Sequence, residues 1–198
     1  MRVSIGGDHA GPALKKVLTT YLESQGIEVI NRGTDSEESV DYPDHAHAVS
    51  EDVASALADF GILICGSANG VAMTANKHQS VRAGLAWNSE VAKLVKQHNN
   101  ANVLCIPARF VTEAEGLDIL KAYMEEEFEG GRHERRVNKI ACAVILCLLS
   151  LVPSLQALAQ LENPQPYAAT IMADDLENHL MVLASDAFEG RETGERGA

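Results

Sequence analysis

The chain has 198 residues, a formal net charge of −12 at pH 7, and 46% hydrophobic but only 5% aromatic residues. That length suits one domain, or one domain and a tail, and the acidic balance argues against nucleic acid as a general partner. Four cysteines (Cys65, Cys105, Cys142, Cys147) show no CxxC or zinc-like spacing, which argues against a disulfide framework and against a structural metal.

In chain order, short β-branched runs alternate with helical patterns. Arg2–Gly6, Glu28–Asn31, Phe60–Cys65, Arg82–Leu85 and Val103–Ile106 predict strands. Pro12–Ser24, Ala46–Ala58, Val71–Lys77, Ser89–Gln97 and Glu113–Glu126 predict the helices between and after them. This alternation predicts an α/β fold, a Rossmann-like three-layer sandwich built on a five-stranded parallel sheet. No secretory leader precedes the first strand, so this part is expected to be cytoplasmic.

The pattern breaks near residue 140. Ile140 to Val152 is an uncharged apolar run, preceded by Arg135, Arg136 and Lys139 and followed by Ala157-Leu158-Ala159. Those are the parts of a secretory signal peptide, in a mid-chain position that is wrong for one; the plain alternative is a buried C-terminal helix. Residues 161–198 are acidic, with a linker at Asn163-Pro164-Gln165-Pro166 and one amphipathic stretch at Asp175–Ala184. Residues 1–140 carry 14 Lys/Arg and 20 Asp/Glu, a balance of −6, and residues 141–198 carry 2 and 8, again −6. The expected organisation is a domain over 1–140, an apolar segment over 141–160, and a disordered acidic tail over 161–198 that forms no domain.

Ligands of such sheets sit beyond the carboxyl ends of the strands, so the segments after each strand are the ones to read. The first strand is followed by Gly7-Asp8-His9-Ala10-Gly11, and the second leads to Asp41-Tyr42-Pro43. The third ends in Cys65-Gly66-Ser67-Ala68-Asn69-Gly70, a thiol with several free amides ahead of a helix. A helix N-terminus attracts anions and lowers a thiol pKa, so a thiolate base is expected here. Gln97-His98-Asn99, Pro107-Ala108-Arg109 and Glu129-Gly130-Gly131-Arg132-His133 through Arg136 complete the set. Each has an ordinary structural explanation: a cap, a solvated imidazole, a core thiol, a basic surface patch. Together they supply a thiol, a carboxylate, imidazoles and guanidiniums, which suits a phosphorylated substrate that exchanges protons.

These same motifs, in order over residues 1 to about 140, resemble the ribose-5-phosphate isomerase B family, which includes galactose-6-phosphate isomerase subunits. The resemblance implies a cofactor-free, metal-free aldose–ketose isomerase that works through an enediolate in the pentose phosphate pathway. It implies Cys65 as the proton-transfer base, Ser67 on the sugar oxygens, and Asp8 with His98 as the ring-opening pair. Gly66, Ala68, Asn69 and Gly70 would line the enediolate, Tyr42 and Asn99 would hold hydroxyls, and His9, Arg109, Arg132 and Arg136 would grip the phosphate. One branch of the family uses a Glu directly after the loop's last glycine; Val71 stands there, which places this chain with the Cys-base branch. Ala68 stands where Gly is common in the family. The resemblance also implies a homodimer, or a tetramer, with shared active sites. The tail, from Asp175 to Leu180 and Ala184 to Gly194, resembles the start of a secreted zinc-dependent aminopeptidase and stops before that family's metal ligands. Three other readings stand beside this one: an isomerase of allose or galactose 6-phosphate, a phosphate- or nucleotide-binding module without catalysis, and a membrane tether through residues 140–159, which Pro153, Ser154 and Gln156 disfavour.

Overall fold

Residue alternation along five strands divides the apolar side chains between two faces. The strands are β1 (Arg2–Gly7), β2 (Glu28–Asn31), β3 (Phe60–Cys65), β4 (Ala83–Leu85) and β5 (Val103–Pro107). A computed structural model describes residues 1–141 and pairs these strands all in parallel, in the order β2-β1-β3-β5-β4. The helices are α1 (Pro12–Ser24), α2 (Tyr42–Ala54), α3 (Asn69–Ala75), α4 (Ser89–Gln97), α5 (Glu113–Glu125) and α6 (Arg132–Val137).

On one face Val3, Ile5, Ile62, Ile64, Leu104 and Ile106 pack with Leu14, Leu18 and Leu22 of α1 and with Ile119, Leu120 and Tyr123 of α5. On the other, Leu63, Cys65, Val103 and Cys105 meet Ala46 and Val49 of α2 and Val71 and Ala75 of α3. The three-layer sandwich expected from the pattern is therefore present. Among the described residues no helix is long and apolar enough to cross a membrane. The apolar segment and the acidic tail expected beyond residue 141, with their resemblances, lie outside the described residues.

Three helices depart from expectation. α2 begins at Tyr42 and not Ala46, because Pro43 suits a first helical turn, where its missing N–H has no intrahelical partner to lose. It ends at Ala54 and not Ala58, and the chain turns away through Ala56 at φ 59°. α3 likewise runs two residues earlier than predicted, Asn69–Ala75. α6 was not expected; Gly130 (φ 65°) and Gly131 (φ 55°) take left-handed backbone that glycine adopts without a Cβ clash, and so turn the chain into it.

A polar network locks α2 beneath the sheet. The buried Asp52 carboxylate accepts Ser4 Oγ at 2.7 Å, Arg32 Nε at 2.8 Å and an Arg32 terminal amine at 2.8 Å. Burial pushes this carboxyl up, but the hydrogen bonds from Arg32 and Ser4 outweigh it and leave it below its ordinary value. The buried Lys15 ammonium similarly ties down the loop before α2, donating to Asn31 Oδ1 at 2.9 Å and the Thr34 carbonyl at 2.6 Å, and pairing with Asp35 at 2.6 Å. A depressed carboxyl stabilises the fold above its unfolded pKa of about 3.9 and loses that contribution as pH falls through the folded value. Asp52→Ala is expected to destabilise the domain by about 2 kcal/mol, since it strands a buried hydroxyl and a half-exposed guanidinium. Urea unfolding at pH 7 measures this, and the difference between the two chains should shrink in acid.

Candidate active site

The sheet order turns back at β1: β2 lies on one side and β3 on the other. Loops that leave such neighbours part over a crevice at their carboxyl ends. The Asp8 amide donates to the Ile64 carbonyl at 3.2 Å, which seats the turn after β1 against the end of β3. Asp8 Oδ1 accepts the Ala10 amide at 3.0 Å and the Asp8 carbonyl accepts the Gly11 amide at 3.0 Å, so that turn is closed on itself. Asp8 and Cys65 are thereby both buried, each 7% exposed.

Burial pushes the Cys65 thiol up. The amide of Ala68, and then that of Ser67, donate to the sulfur and pull it back, while the Asp8 carboxylate adds to the rise; the thiol ends above its ordinary value. This corrects the expected direction. α3 is a single short element of seven residues, and desolvation beside a carboxylate outweighs what its amides give. Ala68, the N-cap of α3, takes a left-handed backbone (φ 59°), a conformation that disfavours an L-residue by roughly 1–2 kcal/mol. Cys105, one strand over on β5, is fully buried and its thiol is pushed far up by desolvation.

Three further expected residues join this group. Tyr42, the first residue of α2, lies across Gly70: a Cβ there would stand 2.5 Å from the ring's Cζ and 2.9 Å from its hydroxyl. Arg109 follows β5, is held by its amide to the Gly66 carbonyl at 3.1 Å, and passes its Nε 3.2 Å from where a Gly66 Cβ would be. Glycine at 66 and 70 is what lets these two side chains close over the loop. Arg109 forms no salt bridge among the described residues. The His9 Nδ1 is buried and has no hydrogen-bond partner among the described residues. Ser67 and Asn69 are exposed at the loop surface.

His98, Asn99, Arg132 and Arg136 are elsewhere. α4 leaves the carboxyl end of β4 and returns antiparallel to the strands, so His98, its C-cap, stands before the amino end of β5. The expectation that the Gln97–Asn99 segment sits at the ligand end of the sheet is overturned by that reversal. The segment after α5 joins it: the Glu129 amide donates to the Gln97 carbonyl at 3.0 Å, and Gln97 donates to Glu126 at 2.6 Å. There His98 and His133 stack, with ring centroids 4.1 Å apart and planes 8° off parallel. Among the described residues no hydrogen bond or salt bridge links this second group to Asp8, Cys65 or Arg109. Glu129 and His133 were visible in sequence only as part of the Gly130-Gly131 run, and nothing there marked them as companions of His98.

Among the described residues one trio gathers metal-ligand atoms: His98, Glu129 and His133, with all of them within 4.8 Å of one another. Its chemistry fits a cation poorly, because His133 Nε2 already accepts the Arg132 guanidinium at 3.1 Å.

The family described as Ribose/Galactose Isomerase matches residues 3–140. The chain belongs to the Ribose/Galactose Isomerase family. A relative from Escherichia coli called ribose-5-phosphate isomerase B is 40% identical over 139 residues, covering 70% of this chain and 93% of the relative. A crystal structure of a ribose 5-phosphate isomerase from Thermotoga maritima shares 44% identity with a TM-score of 0.69, over 71% of this chain and 97% of that one. The Mycoplasma genitalium ribose-5-phosphate isomerase B solved with bound ribulose-5-phosphate shares 42% identity with a TM-score of 0.68, over 70% and 93%.

A thiol raised by burial and by Asp8 should label slowly near neutrality. Iodoacetamide modification of Cys65, followed by peptide mass spectrometry across pH, is expected to show a midpoint above about 8.5, the ordinary thiol value. Asp8→Asn removes a charge that opposes the thiolate and should move that midpoint down. A midpoint at or below the ordinary value in the unsubstituted chain overturns the assignment of burial as the dominant influence.

Proposed function

We propose that this protein interconverts D-ribose 5-phosphate and D-ribulose 5-phosphate with Cys65 as the base. The observation that carries the reading is a thiol buried at the end of β3, beside the Asp8 turn and ahead of the 66–70 loop, in a chain whose relatives are called ribose-5-phosphate isomerase B. In the open-chain aldose the Cys65 thiolate takes the C2 proton and returns it to C1, while the hydroxyl proton passes from O2 to O1. The negative charge of the intervening enediolate develops on the sugar oxygens. The amides through Gly70, preorganised by the left-handed turn at Ala68, are suited to meet it, with Ser67 hydrogen-bonding the same oxygens.

Ring opening comes first, and Asp8 and His98 are the pair assigned to it: one removes the anomeric hydroxyl proton and the other protonates the ring oxygen. Tyr42 and Asn99 hold hydroxyls. His9, with its unpartnered Nδ1, joins Arg109, Arg132 and Arg136 on the phosphate, whose geometry suits guanidinium forks. The activity is assigned to residues 1–140, which the family match spans but for the first two. It would place the protein in the cytoplasm, in the non-oxidative branch of the pentose phosphate pathway.

The isomerase assay is run with ribose 5-phosphate, allose 6-phosphate and galactose 6-phosphate side by side, on the full chain and on a chain ending at Ile140. Both chains should turn over ribose 5-phosphate best, with kcat/KM rising into the alkaline range as the thiol ionises. Cys65→Ala should lose turnover by at least about a thousandfold while still binding the sugar phosphate. Preference for a hexose phosphate reassigns the substrate, and full turnover by Cys65→Ala removes the thiol base.

We further propose that the working enzyme is a homodimer in which one protomer's His98, Asn99, Arg132 and Arg136 complete the Asp8–Cys65 site of its partner. The two groups stand at opposite ends of the sheet in one chain, about a strand length apart at roughly 3.3 Å per residue. An isologous pair of composite sites allows complementation. Cys65→Ala and His98→Ala, each inactive alone, should on mixing and re-association recover about a quarter of unsubstituted activity, because half the dimers are mixed and each holds one intact site. No recovery, with mixed dimers shown to form, places each site within a single chain.

A further inference from the structure

His133 is a buried imidazole that the chemistry above leaves without a task. It is 5% exposed on α6, a helix whose arginines, Arg132, Arg135 and Arg136, are all exposed. A buried ring nitrogen needs a hydrogen-bond partner, and here the partner is the neighbouring side chain: Arg132 Nε donates to His133 Nε2 at 3.1 Å. That contact settles the tautomer, since Nε2 must present its lone pair and Nδ1 must carry the proton. Burial lowers the imidazole's pKa, with His98 and Arg132 acting in the same direction and Glu129 against them, so the acceptor persists at neutral pH.

The ring's flat side does something different. It stacks on His98 at 4.1 Å and 8°, although the two residues come from elements far apart in sequence. The Glu129 carboxylate lies near both, 3.7 Å from His98 Nε2 and 3.6 Å from His133 Nε2. One imidazole thus touches, by its edge, a residue assigned to the phosphate and, by its face, a residue assigned to ring opening.

We propose that His133 is a positioning residue with two separable duties: its Nε2 holds the Arg132 guanidinium in place for phosphate, and its ring face holds the His98 imidazole in place for proton transfer. An arginine gripped at Nε keeps its terminal amino groups free for a phosphate fork, and its side chain is ordered before the ligand arrives. A ring stacked on His98 leaves that imidazole's nitrogens in plane and free to meet Glu129 and the sugar. The distance between phosphate grip and ring-opening group is then set by a single side chain. This inference rests on the assignments of Arg132 and His98 made above.

Two substitutions separate the duties. His133→Phe keeps a flat ring on His98 and removes the acceptor; His133→Gln keeps an acceptor near the Nε2 position and removes the ring. With the full chain, kcat and KM for ribose 5-phosphate and the Kd for inorganic phosphate are measured for each, alongside thermal melting. His133→Phe should raise KM and the phosphate Kd about tenfold, the loss of one hydrogen bond to a charged group, with kcat changed less than about threefold. His133→Gln should leave KM and phosphate Kd near their unsubstituted values and lower kcat on the order of tenfold. The same parameter moved by the same factor in both variants, or no change in either, overturns the proposal. If His133→Phe does not fold, His133→Gln decides alone: a KM rise matching its kcat loss overturns it. Should the unsubstituted chain bind phosphate but not isomerise ribose 5-phosphate, the substrate assignment falls, and the phosphate Kd values of the two variants still decide whether His133 holds Arg132.

Discussion

The β1–β3 pairing runs in register from Val3 opposite Phe60 to Gly7 opposite Ile64. It continues one step past the strand, where the Asp8 amide donates to the Ile64 carbonyl. That extra hydrogen bond brings the carboxylate of one loop beside the thiol of the next. It also lies where the sheet order reverses, the one place in an open parallel sheet where neighbouring loops diverge and leave room for a ligand. A slip of the register by one residue would turn Cys65 to the opposite face and separate the pair.

The electrostatics of the first group follow from that placement. A strand end against α2 and α3 is dry, and dryness raises a thiol; a carboxylate at its side raises it further. The two amides aimed at the sulfur offset only part of this. Such a group is a reluctant anion at rest, and a stronger base than an ordinary thiolate once ionised. Gly66 and Gly70 serve the same site by their size, leaving space for Arg109 and Tyr42 to lie over the loop.

The second group is organised by different means. α4 ends at the amino edge of the sheet, and the segment after α5 folds back onto it through the Glu129–Gln97 backbone bond. α6 then presents its arginines on a turn made by two glycines in left-handed backbone. Each end of the sheet holds only some of the residues assigned to phosphate in the proposal, and only one of the pair assigned to ring opening. The composite dimer site proposed above is the arrangement that joins the halves while keeping every element of the fold as it stands.

Much of this was legible in the residues. Short β-branched runs located all five strands to within a residue, and helical patterns located α1 and α4 to the residue, because a parallel sheet buried on both faces needs such runs and its covering helices need an apolar stripe. The strand-end motifs carried the family and the identities of Cys65, Asp8 and Arg109 as candidates. Other features depended on long-range packing. The start of α2 turned on how Pro43 sits in a first turn, and the end on Ala56. The direction of the Cys65 shift depended on how dry the strand end is and on a carboxylate 57 positions away in the chain, neither of which local sequence contains. The position of His98 depended on the direction in which α4 runs, and the pairing of His98 with His133 on two distant segments folding onto each other. The sequence by itself determined the fold class, the family and the inventory of reactive groups, since these follow from local pattern and residue type. Only the tertiary structure decided which groups meet, because proximity and desolvation are properties of the packed chain.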